Sequence, residues 1–191
     1  KGESFHVSDA GYGKRPEAFV TVARLVPQKG IDVLIRALAL VTGSASQWPV
    51  LLVGDGPERS ALENQAAVEG VAQRVHFKGF RSDPETYLAA ASVFVLPSRF
   101  EGMPNALLEA MAAGLAVIVT DASPGPLEVV EHRRSGIVVP SEDPHALAKA
   151  MSELVEDVDL RNRLGLAARD RLAALDWPQV ETQWRSVLAL P

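Results

Sequence analysis

Residues 93–120 have the sequence VFVLPSRFEGMPNALLEAMAAGLAVIVT, in which two apolar runs flank a segment with helical spacing. Val93–Leu96 and Ala116–Thr120 are short apolar runs, as is typical of parallel strands that are buried on both faces. Between them, Asn105–Ala113 has the apolar spacing of a helix, and Gly114 is a typical helix stop. The stretch therefore predicts a strand–helix–strand unit with parallel strands and a right-handed crossover.

The same alternation extends over most of the chain. Further strands are predicted at Ala18–Ala23, Val50–Val53, Arg74–Phe77 and Gly136–Val139. Further helices are predicted at Asp32–Val41, Glu58–Val68, Pro84–Ala91 after an Asp83 N-cap, Pro126–Glu131, Asp143–Val155, Val158–Leu175 and Trp177–Leu188. The pattern predicts an α/β fold: a Rossmann-like, doubly wound parallel six-stranded sheet with helices on both faces and C-terminal helices closing the domain. Residues 1–16 are predicted to be a linker or tail, and residues 17–191 a single domain.

The composition narrows the class of protein. Of the 191 residues, 47% are apolar, which is enough for a substantial core. The chain has no cysteine, so no disulfide framework is expected, and a reducing compartment such as the cytoplasm suits it. A formal net charge of −5 at pH 7 argues against nucleic acid as a partner, and no apolar run approaches the roughly 20 residues of a membrane-spanning helix. The four histidines are dispersed, so no metal site is predicted, and the start at Lys1 leads us to expect a fragment of a longer protein.

Basic and glycine residues follow the first two predicted strands, where α/β sheets bind their ligands. Arg24 and Lys29 lie on the loop after the first strand, and two cations there are suited to neutralise a diphosphate. Gly54 and Gly56 follow the second strand and allow a close backbone approach or a positive φ. For each pair a plain alternative stays open: solvated surface charges for the cations, and an ordinary turn for the glycines.

Two further loops at the same predicted edge carry candidate residues. Gly79, Phe80 and Arg81 follow the third strand, where an aromatic ring and a glycine suit the sheltering of a base; alternatively, Phe80 plugs the sheet edge. Ser123 and Gly125 follow the strand at residues 116–120 and are placed to donate to an anion, unless they form an ordinary turn. Because all these loops follow strands, together they indicate one ligand site more strongly than any single loop does.

Two carboxylates, Glu101 and Glu109, flank the turn that opens the helix at Asn105. The free N–H groups and the positive dipole end of a helix start attract an anion, and carboxylates accept hydrogen bonds from hydroxyls. Helical geometry places Asn105, Glu109 and Ala112 on one face, and the core face is predicted to consist of Leu107, Leu108 and Met111. The pattern indicates a ligand that carries both negative charge and hydroxyls, such as a nucleotide sugar. The alternatives are that Glu101 is a loop charge paired with Arg99 and that Glu109 merely faces solvent.

These motifs together resemble the C-terminal, donor-binding domain of retaining glycosyltransferases of the glycosyltransferase-B fold, family four, also called group 1 glycosyltransferases. The resemblance extends from Glu17 to about Leu188. It is most specific over Pro97–Gly114, which contains two glutamates separated by seven residues. It identifies residues 17–191 as a nucleotide-sugar donor-binding domain.

The resemblance also implies a role for each matching residue. Arg24 and Lys29 are expected to bind the donor diphosphate and stabilise the leaving group, and Glu101 to contact the donor sugar hydroxyls; these three are the predicted catalytic residues. The predicted donor-binding residues are Gly54, Gly56, Gly79, Phe80, Arg81, Gly102, Met103, Pro104, Asn105 and Glu109. Among them, Glu109 is expected to hold the ribose hydroxyls.

The resemblance implies the donor-binding half of a retaining hexosyltransferase that moves a sugar from a nucleoside diphosphate sugar to an acceptor hydroxyl. No metal or other cofactor is expected, and the suggested setting is the synthesis of cell-envelope polysaccharide or lipid-linked glycans. The N-terminal acceptor domain is expected to be absent from this chain, so the isolated domain is expected to be inactive. We expect a cytoplasmic location, at the inner face of the membrane if the absent domain makes peripheral membrane contact. A nucleotide-sugar epimerase and a non-catalytic nucleotide-sugar-binding module stay open as alternatives.

Overall fold

The structure, a computed structural model, describes residues 15–173. The predictions on residues 1–14 and 174–191, which include most of the linker and the Trp177–Leu188 helix, lie outside the described residues. Within the described range the strands are β1 (Phe19–Val22), β2 (Val50–Val53), β3 (Val75–Gly79), β4 (Val93–Leu96), β5 (Ala116–Thr120) and β6 (Ile137–Val139). The α-helices in this range are α1 (Ile31–Leu40), α2 (Arg59–Val68), α3 (Pro84–Ala89), α4 (Asn105–Ala112), α5 (Pro124–Val129), α6 (Pro144–Glu156) and α7 (Val158–Ala173).

The six strands form one parallel sheet in the order β3-β2-β1-β4-β5-β6, which confirms the predicted fold. The order reverses between β1 and β4, which is where open α/β sheets form their ligand crevice. In the described chain, the ladder between these strands ends with Val20 opposite Phe94. One residue further, the buried Thr21 hydroxyl donates to the Val95 carbonyl at 2.8 Å. The loops that follow β1 and β4 therefore begin side by side.

Side chains alternate between two hydrophobic layers because successive residues of a strand face opposite sides of the sheet. In β5, Ile118 packs in the layer that contains α1, α2 and α6, whereas Val117 packs in the layer with α3, α4 and α5. Helices cover both faces, as predicted. Helix α7 contributes Leu164 to the first layer and Ala168 to the second, and it contacts α4, α6 and β5, so it closes the domain.

Some element boundaries differ from the predicted ones. Helix α5 begins two residues earlier, at Pro124, because Ser123 is extended and proline suits the first turn of a helix. Strand β3 begins one residue later, since Arg74 ends a 3-10 turn, and it continues to Gly79 through a shift in its register with β2. Asp83 is the N-cap of α3, as predicted, but its side chain makes no capping hydrogen bond.

Candidate active site

Lys29 and Glu101 form an ion pair where the loops after β1 and β4 meet. The Lys29 ammonium donates to both carboxylate oxygens of Glu101, at 2.7 and 2.9 Å. Glu101 is only 7% exposed, and the Ser98 hydroxyl donates to its Oε1 atom at 2.6 Å. The fold thus brings two residues that were predicted separately into direct contact, at the reversal of strand order. The alternative pairing of Glu101 with Arg99 is wrong.

The ion pair leaves hydrogen-bonding capacity for a ligand. Lys29 has three N–H groups, of which Glu101 accepts two. Glu101 Oε1 accepts from both Lys29 and Ser98, whereas its Oε2 atom accepts from Lys29 among the described residues. The Lys29–Glu101 pair therefore retains one donor and one acceptor position, which suits a ligand with both an anionic group and a hydroxyl.

Arg99 holds the loop after β4 against the start of α1. Its Nη1 and Nη2 atoms donate to the two carboxylate oxygens of Asp32 at 2.7 and 2.8 Å, and Nη1 also donates to the Pro27 carbonyl at 2.6 Å. Its Nε atom donates to Glu142, in the loop after β6. Burial raises the pKa of the Asp32 carboxyl, but the Arg99 hydrogen bonds and the charges of Arg99 and Arg36 outweigh burial and lower this pKa. The hydrogen bond to Asp32 likewise raises the pKa of Arg99, so both groups stay charged.

Arg24, the second predicted cation, is exposed and in a different state from Lys29. Within residues 15–173 the structure gives its side chain no hydrogen bond or ion pair. The backbone beside it is held, because the Leu25 N–H donates to the Asp55 carbonyl at 3.0 Å. Among the described residues Arg24 is therefore an unpaired cation on a loop whose backbone is held, whereas Lys29 is already paired.

Gly54 and Gly56 are explained by contact between loops. A β-carbon on Gly54 would lie 1.9 Å from the Ala23 carbonyl oxygen, and one on Gly56 would lie 2.3 Å from that of Leu25. Gly54 also has a φ of +134°, which disfavours any side chain. The close backbone approach that the sequence predicted is thus made to the loop that carries Arg24. Donor binding by the two glycines stays a prediction.

The loop after β3 reaches the same edge of the sheet. The Gly54 N–H donates to the Gly79 carbonyl at 2.8 Å, so β2 and β3 end together. Phe80 is 81% exposed, and the alternative in which it plugs the sheet edge is therefore wrong. The Arg81 guanidinium donates to the Lys78 carbonyl at 3.0 Å and lies 5.8 Å from the centre of the Tyr87 ring. These contacts leave the Phe80 ring open to a ligand.

The turn between Glu101 and α4 is open to solvent. Gly102 and Met103 are exposed, whereas Pro104 is buried at the N-cap of α4. Within the described residues no side chain caps this helix, because the proline side chain has no polar atom. The Pro104 carbonyl accepts from the Leu107 N–H at 3.0 Å, so the first two N–H groups of α4, those of Asn105 and Ala106, are the ones available for an anion.

The exposed face of α4 agrees with the prediction. Asn105, Glu109 and Ala112 are all exposed, and the described residues give the Glu109 carboxylate no hydrogen bond or ion pair. Leu108, predicted to face the core, is only half-buried, and Ala110 is buried instead. The helix is rotated slightly from the predicted orientation, but Glu109 keeps its place on the open face, about one turn from the start of α4.

Ser123 and Gly125 contact the turn between Glu101 and α4 from the loop after β5 and the start of α5. The buried Ser123 hydroxyl accepts a hydrogen bond from the Glu101 N–H at 2.9 Å. A β-carbon on Gly125 would lie 1.5 Å from the Gly102 carbonyl oxygen, so α5 starts in direct contact with the turn. Their contacts among the described residues are therefore with the site itself, and donation to a ligand anion stays a prediction.

Other surfaces of the described chain fit a diphosphate less well. A cavity between α6 and α7 is lined by Val158 and by four carboxylates, those of Glu153, Glu156, Asp157 and Asp159. Such a lining repels anions. In residues 15–173, no three histidine or acidic side chains are grouped so that they would hold a metal ion. No helix in the same range is long and apolar enough to cross a membrane.

Sequence reasoning missed several residues of the site. Asp32, Ser98 and Arg99 were not singled out as site residues, although they orient Lys29 and Glu101. Arg99 stands two positions before Glu101, and Asp32 three positions after Lys29, so proximity to a predicted residue was the available signal. Nothing in the local pattern indicates that Arg99 and Asp32 pair with each other, because they are 67 residues apart.

Comparison with known proteins identifies the family of this chain. The model of the family described as glycosyl transferases group 1 matches residues 6–171. The chain belongs to this family. The resemblance of the motifs to group 1 glycosyltransferases is thereby confirmed.

Individual group 1 relatives are about twice as long as this chain. The lipopolysaccharide core biosynthesis glycosyltransferase LpsE of Rhizobium meliloti is 36% identical over 153 residues, which are 80% of this chain and 44% of LpsE. A GDP-mannose-dependent phosphatidylinositol monomannoside mannosyltransferase of Mycobacterium tuberculosis is 33% identical over 186 residues, covering 93% of this chain and 46% of the relative. The crystal structure of Anabaena HepE in complex with UDP superposes with a TM-score of 0.82 and 27% identity, covering 92% of this chain and 49% of HepE. The chain thus spans less than half of each.

Proposed function

We propose that this chain is the donor-binding half of a retaining hexosyltransferase, which moves a sugar from a nucleoside diphosphate sugar to an acceptor hydroxyl. The observation that carries the proposal is the convergence, at the reversal of strand order, of Arg24, the Lys29–Glu101 pair and the uncapped start of α4. A phosphate-bearing sugar needs cations, free N–H groups and hydroxyl acceptors in one place. No other surface described above combines the three.

The arrangement assigns each part of the donor a partner. The diphosphate lies against Arg24, Lys29 and the first N–H groups of α4. The sugar hydroxyls meet the open acceptor position of Glu101, and the ribose hydroxyls meet the exposed Glu109 carboxylate. The base lies toward the loop Gly79–Arg81, where the Phe80 ring is exposed.

The chemistry follows from these charges. The bond between the anomeric carbon and the diphosphate oxygen breaks, and its electron pair stays on the diphosphate. The acceptor hydroxyl oxygen bonds to the anomeric carbon, and its proton passes to the departing diphosphate oxygen. The added negative charge is stabilised by Arg24, Lys29 and the positive end of the α4 dipole, which is fixed before the reaction starts. Metal independence is part of the proposal, since protein cations are assigned to this task.

Named relatives support a nucleotide-sugar donor and a glycan acceptor. Anabaena HepE was crystallised with UDP and with UDP-glucose, and the Mycobacterium tuberculosis relative is GDP-mannose-dependent. LpsE acts in lipopolysaccharide core biosynthesis. We therefore place the whole protein in the synthesis of cell-envelope polysaccharide or lipid-linked glycans. The acceptor is assigned to the part of such enzymes that this chain does not match.

Calorimetry with UDP, GDP and ADP tests donor binding by this chain. We expect one of them to bind, and Glu109→Ala to weaken that binding by about tenfold, because the ribose loses two hydrogen bonds. Glu69→Ala is the matched control: Glu69 is an exposed glutamate at the C-terminal end of α2, at the opposite edge of the sheet. Absence of binding to all three nucleotides by the folded chain contradicts the proposal.

Stereochemistry and metal independence are tested on the full-length protein. Proton NMR of the product should show the anomeric configuration of the donor, and activity should survive EDTA. An inverted product contradicts the retaining part of the proposal. An epimerised donor without a glycosylated acceptor would favour an epimerase instead.

A further inference from the structure

Arg99 is the most connected charged side chain at the carboxyl edge, yet the donor site described above gives it no ligand to bind. Its guanidinium contacts Asp32 in α1, the Pro27 carbonyl before α1, and Glu142 in the loop after β6. These contacts use Nε and both Nη atoms, so little donor capacity remains. Arg99 is therefore engaged with the protein on three sides.

The geometry at Asp32 is specific to arginine. Two parallel N–H···O bonds of 2.7 and 2.8 Å join the guanidinium fork to the carboxylate. A planar fork fixes both distance and orientation, whereas a lysine ammonium offers a single point charge. The pair sets the angle between the loop after β4 and helix α1, as well as their separation.

The segments joined in this way carry the two paired residues of the site. Lys29 lies between Pro27 and Asp32, and Glu101 follows Arg99 by two residues. The backbone adds to the clamp, which is the Arg99–Asp32 pair that joins the two loops. The Arg99 N–H donates to the Gln28 carbonyl at 2.8 Å. The Gln28 side chain in turn donates to the carbonyl of residue 100 at 2.8 Å. Any shift of Arg99 therefore moves the Lys29 loop relative to Glu101.

We propose that Arg99 is a positioning residue of the donor site: its fork on Asp32 holds the Lys29 loop and the Glu101 loop at the spacing that nucleotide binding requires, without touching the donor. The inference rests on the proposed function for its ligand, but its structural half is independent of any ligand. Arg99, Asp32 and Lys29 then act as one unit. Glu142, in the loop after β6, accepts a hydrogen bond from Arg99 and so helps to hold this unit in place.

Hydrogen–deuterium exchange of the unliganded chain tests the structural half. Arg99→Gln should speed amide exchange in residues 27–32 as well as in residues 97–104. Arg133→Gln is the matched control, because Arg133 also makes a two-bond pair with a carboxylate, that of Glu153, at the opposite edge of the sheet. Unchanged exchange in residues 27–32 of the Arg99 variant overturns the inference, whatever the ligand.

Nucleotide affinity tests the functional half, with whichever of UDP, GDP and ADP binds the wild type. Arg99→Gln and Asp32→Asn should each weaken binding by about tenfold, and the double variant should lose little more, because neighbours in one network are not additive. Arg99→Lys should recover only part of the loss, and Arg133→Gln should bind like wild type. A wild type that binds no nucleotide refutes the proposed function and not the clamp. If the wild type binds a nucleotide and the Arg99 variant binds it with the same affinity, as the Arg133 variant does, only the positioning role is refuted. The positioning role alone is also refuted if the losses of affinity caused by the Arg99 and Asp32 substitutions add in the double variant.

Discussion

Arg74 and Arg24 lie at opposite edges of the sheet and make opposite use of their charge. At the amino edge, the half-buried Arg74 donates to the carbonyls of Leu38, Ala45 and Trp48 at 2.9 to 3.3 Å. Burial lowers the pKa of Arg74, yet its carbonyl partners keep it in place. At the carboxyl edge, Arg24 is exposed and the described residues offer it no partner. The charge of Arg74 thus joins segments of the fold, whereas that of Arg24 stays available for a ligand.

Gly165 and Gly125, one at each edge, also differ. At the amino edge, a β-carbon on Gly165 of α7 would lie 2.4 Å from the buried Gly114 carbonyl. At the carboxyl edge, a β-carbon on Gly125 would lie 1.5 Å from the carbonyl of the exposed Gly102. A clash at Gly165 disturbs a buried contact between α7 and the end of α4, whereas one at Gly125 displaces the turn beside the candidate site. Substitution of Gly165 should therefore reduce stability alone, and substitution of Gly125 should reduce ligand affinity as well.

The glycine pair offers the largest expected effects. Gly165→Ala should lower the free energy of unfolding by about 3 kcal/mol, because the methyl group overpacks a buried helix contact. Gly125→Ala should also lower it, because the methyl group meets the Gly102 backbone, and should in addition weaken nucleotide binding at least tenfold through displacement of the turn. Urea denaturation and calorimetry measure the two quantities. Unchanged nucleotide affinity in the Gly125 variant would remove the contrast between the two glycines.

The arginine pair tests the comparison with charge. Arg74→Met should cost about 2 kcal/mol of stability, since three carbonyls lose a charged donor, and should leave nucleotide affinity unchanged. Arg24→Met should change stability by less than about 0.5 kcal/mol but weaken nucleotide binding roughly tenfold. The same two measurements apply. Unaltered nucleotide affinity in the Arg24 variant would show that Arg24 is a solvated surface charge and not a ligand-binding residue.

Substitution of Lys29 should reduce both the stability of the fold and the affinity for the nucleotide. Lys29→Met should reduce affinity and also lower the free energy of unfolding by about 1.5 kcal/mol, because the buried Glu101 carboxylate keeps, among the described residues, only the Ser98 hydroxyl as a side-chain donor. Adding Glu101→Gln to the Lys29 variant should restore much of the stability but none of the affinity. Restored affinity in the double variant would contradict the diphosphate role of Lys29.

The smallest expected effect is on the loss of stability at acidic pH. The pKa of Asp32 lies below its ordinary value of 3.8, because Arg99 and Arg36 outweigh the opposing effect of burial. A carboxyl whose folded-state pKa is lowered stabilises the fold above its unfolded pKa, and this contribution is lost as pH falls through the folded value. Asp32→Asn should therefore flatten the decline of stability below about pH 4. Denaturation at several pH values gives the slopes, and parallel curves for the two proteins would argue against the lowered pKa.

Some elements could be predicted closely because local pattern and burial agree. The strands at residues 50–53, 93–96 and 116–120 match the predicted bounds, since strands buried on both faces are unbroken apolar runs. The exposed face of α4 also followed from helical spacing. The start of α5 was missed because it is set by Pro124, and the bounds of β3 were missed because they are set by a 3-10 turn and a register shift. Such features depend on neighbouring segments.

The site was predicted in parts. Arg24, Lys29 and Glu101 were placed on loops at the carboxyl edge and Glu109 in the helix that follows, where the structure has them, because the carboxyl ends of parallel strands share that edge. The partners were not predicted: Lys29 and Glu101 are 72 residues apart, and the pairing of Arg99 with Glu101 that was kept as an alternative is wrong. Which charge meets which depends on strand order, and strand order is decided by packing across the whole sheet.

The α/β class, the parallel sheet and the set of polar residues at the strand ends could be read from the amino-acid sequence, and the family from the resemblance of its motifs. Periodicity and motif spacing act over a few residues, so no long-range contact is needed for them. The folded structure was needed to show that Lys29 is paired while Arg24 has no partner among the described residues, that Gly54 and Gly56 make contacts between loops, and that Arg99 joins the β4 loop to α1. Such choices depend on distances between segments far apart in the chain, which become defined only when the β1 and β4 loops are brought side by side.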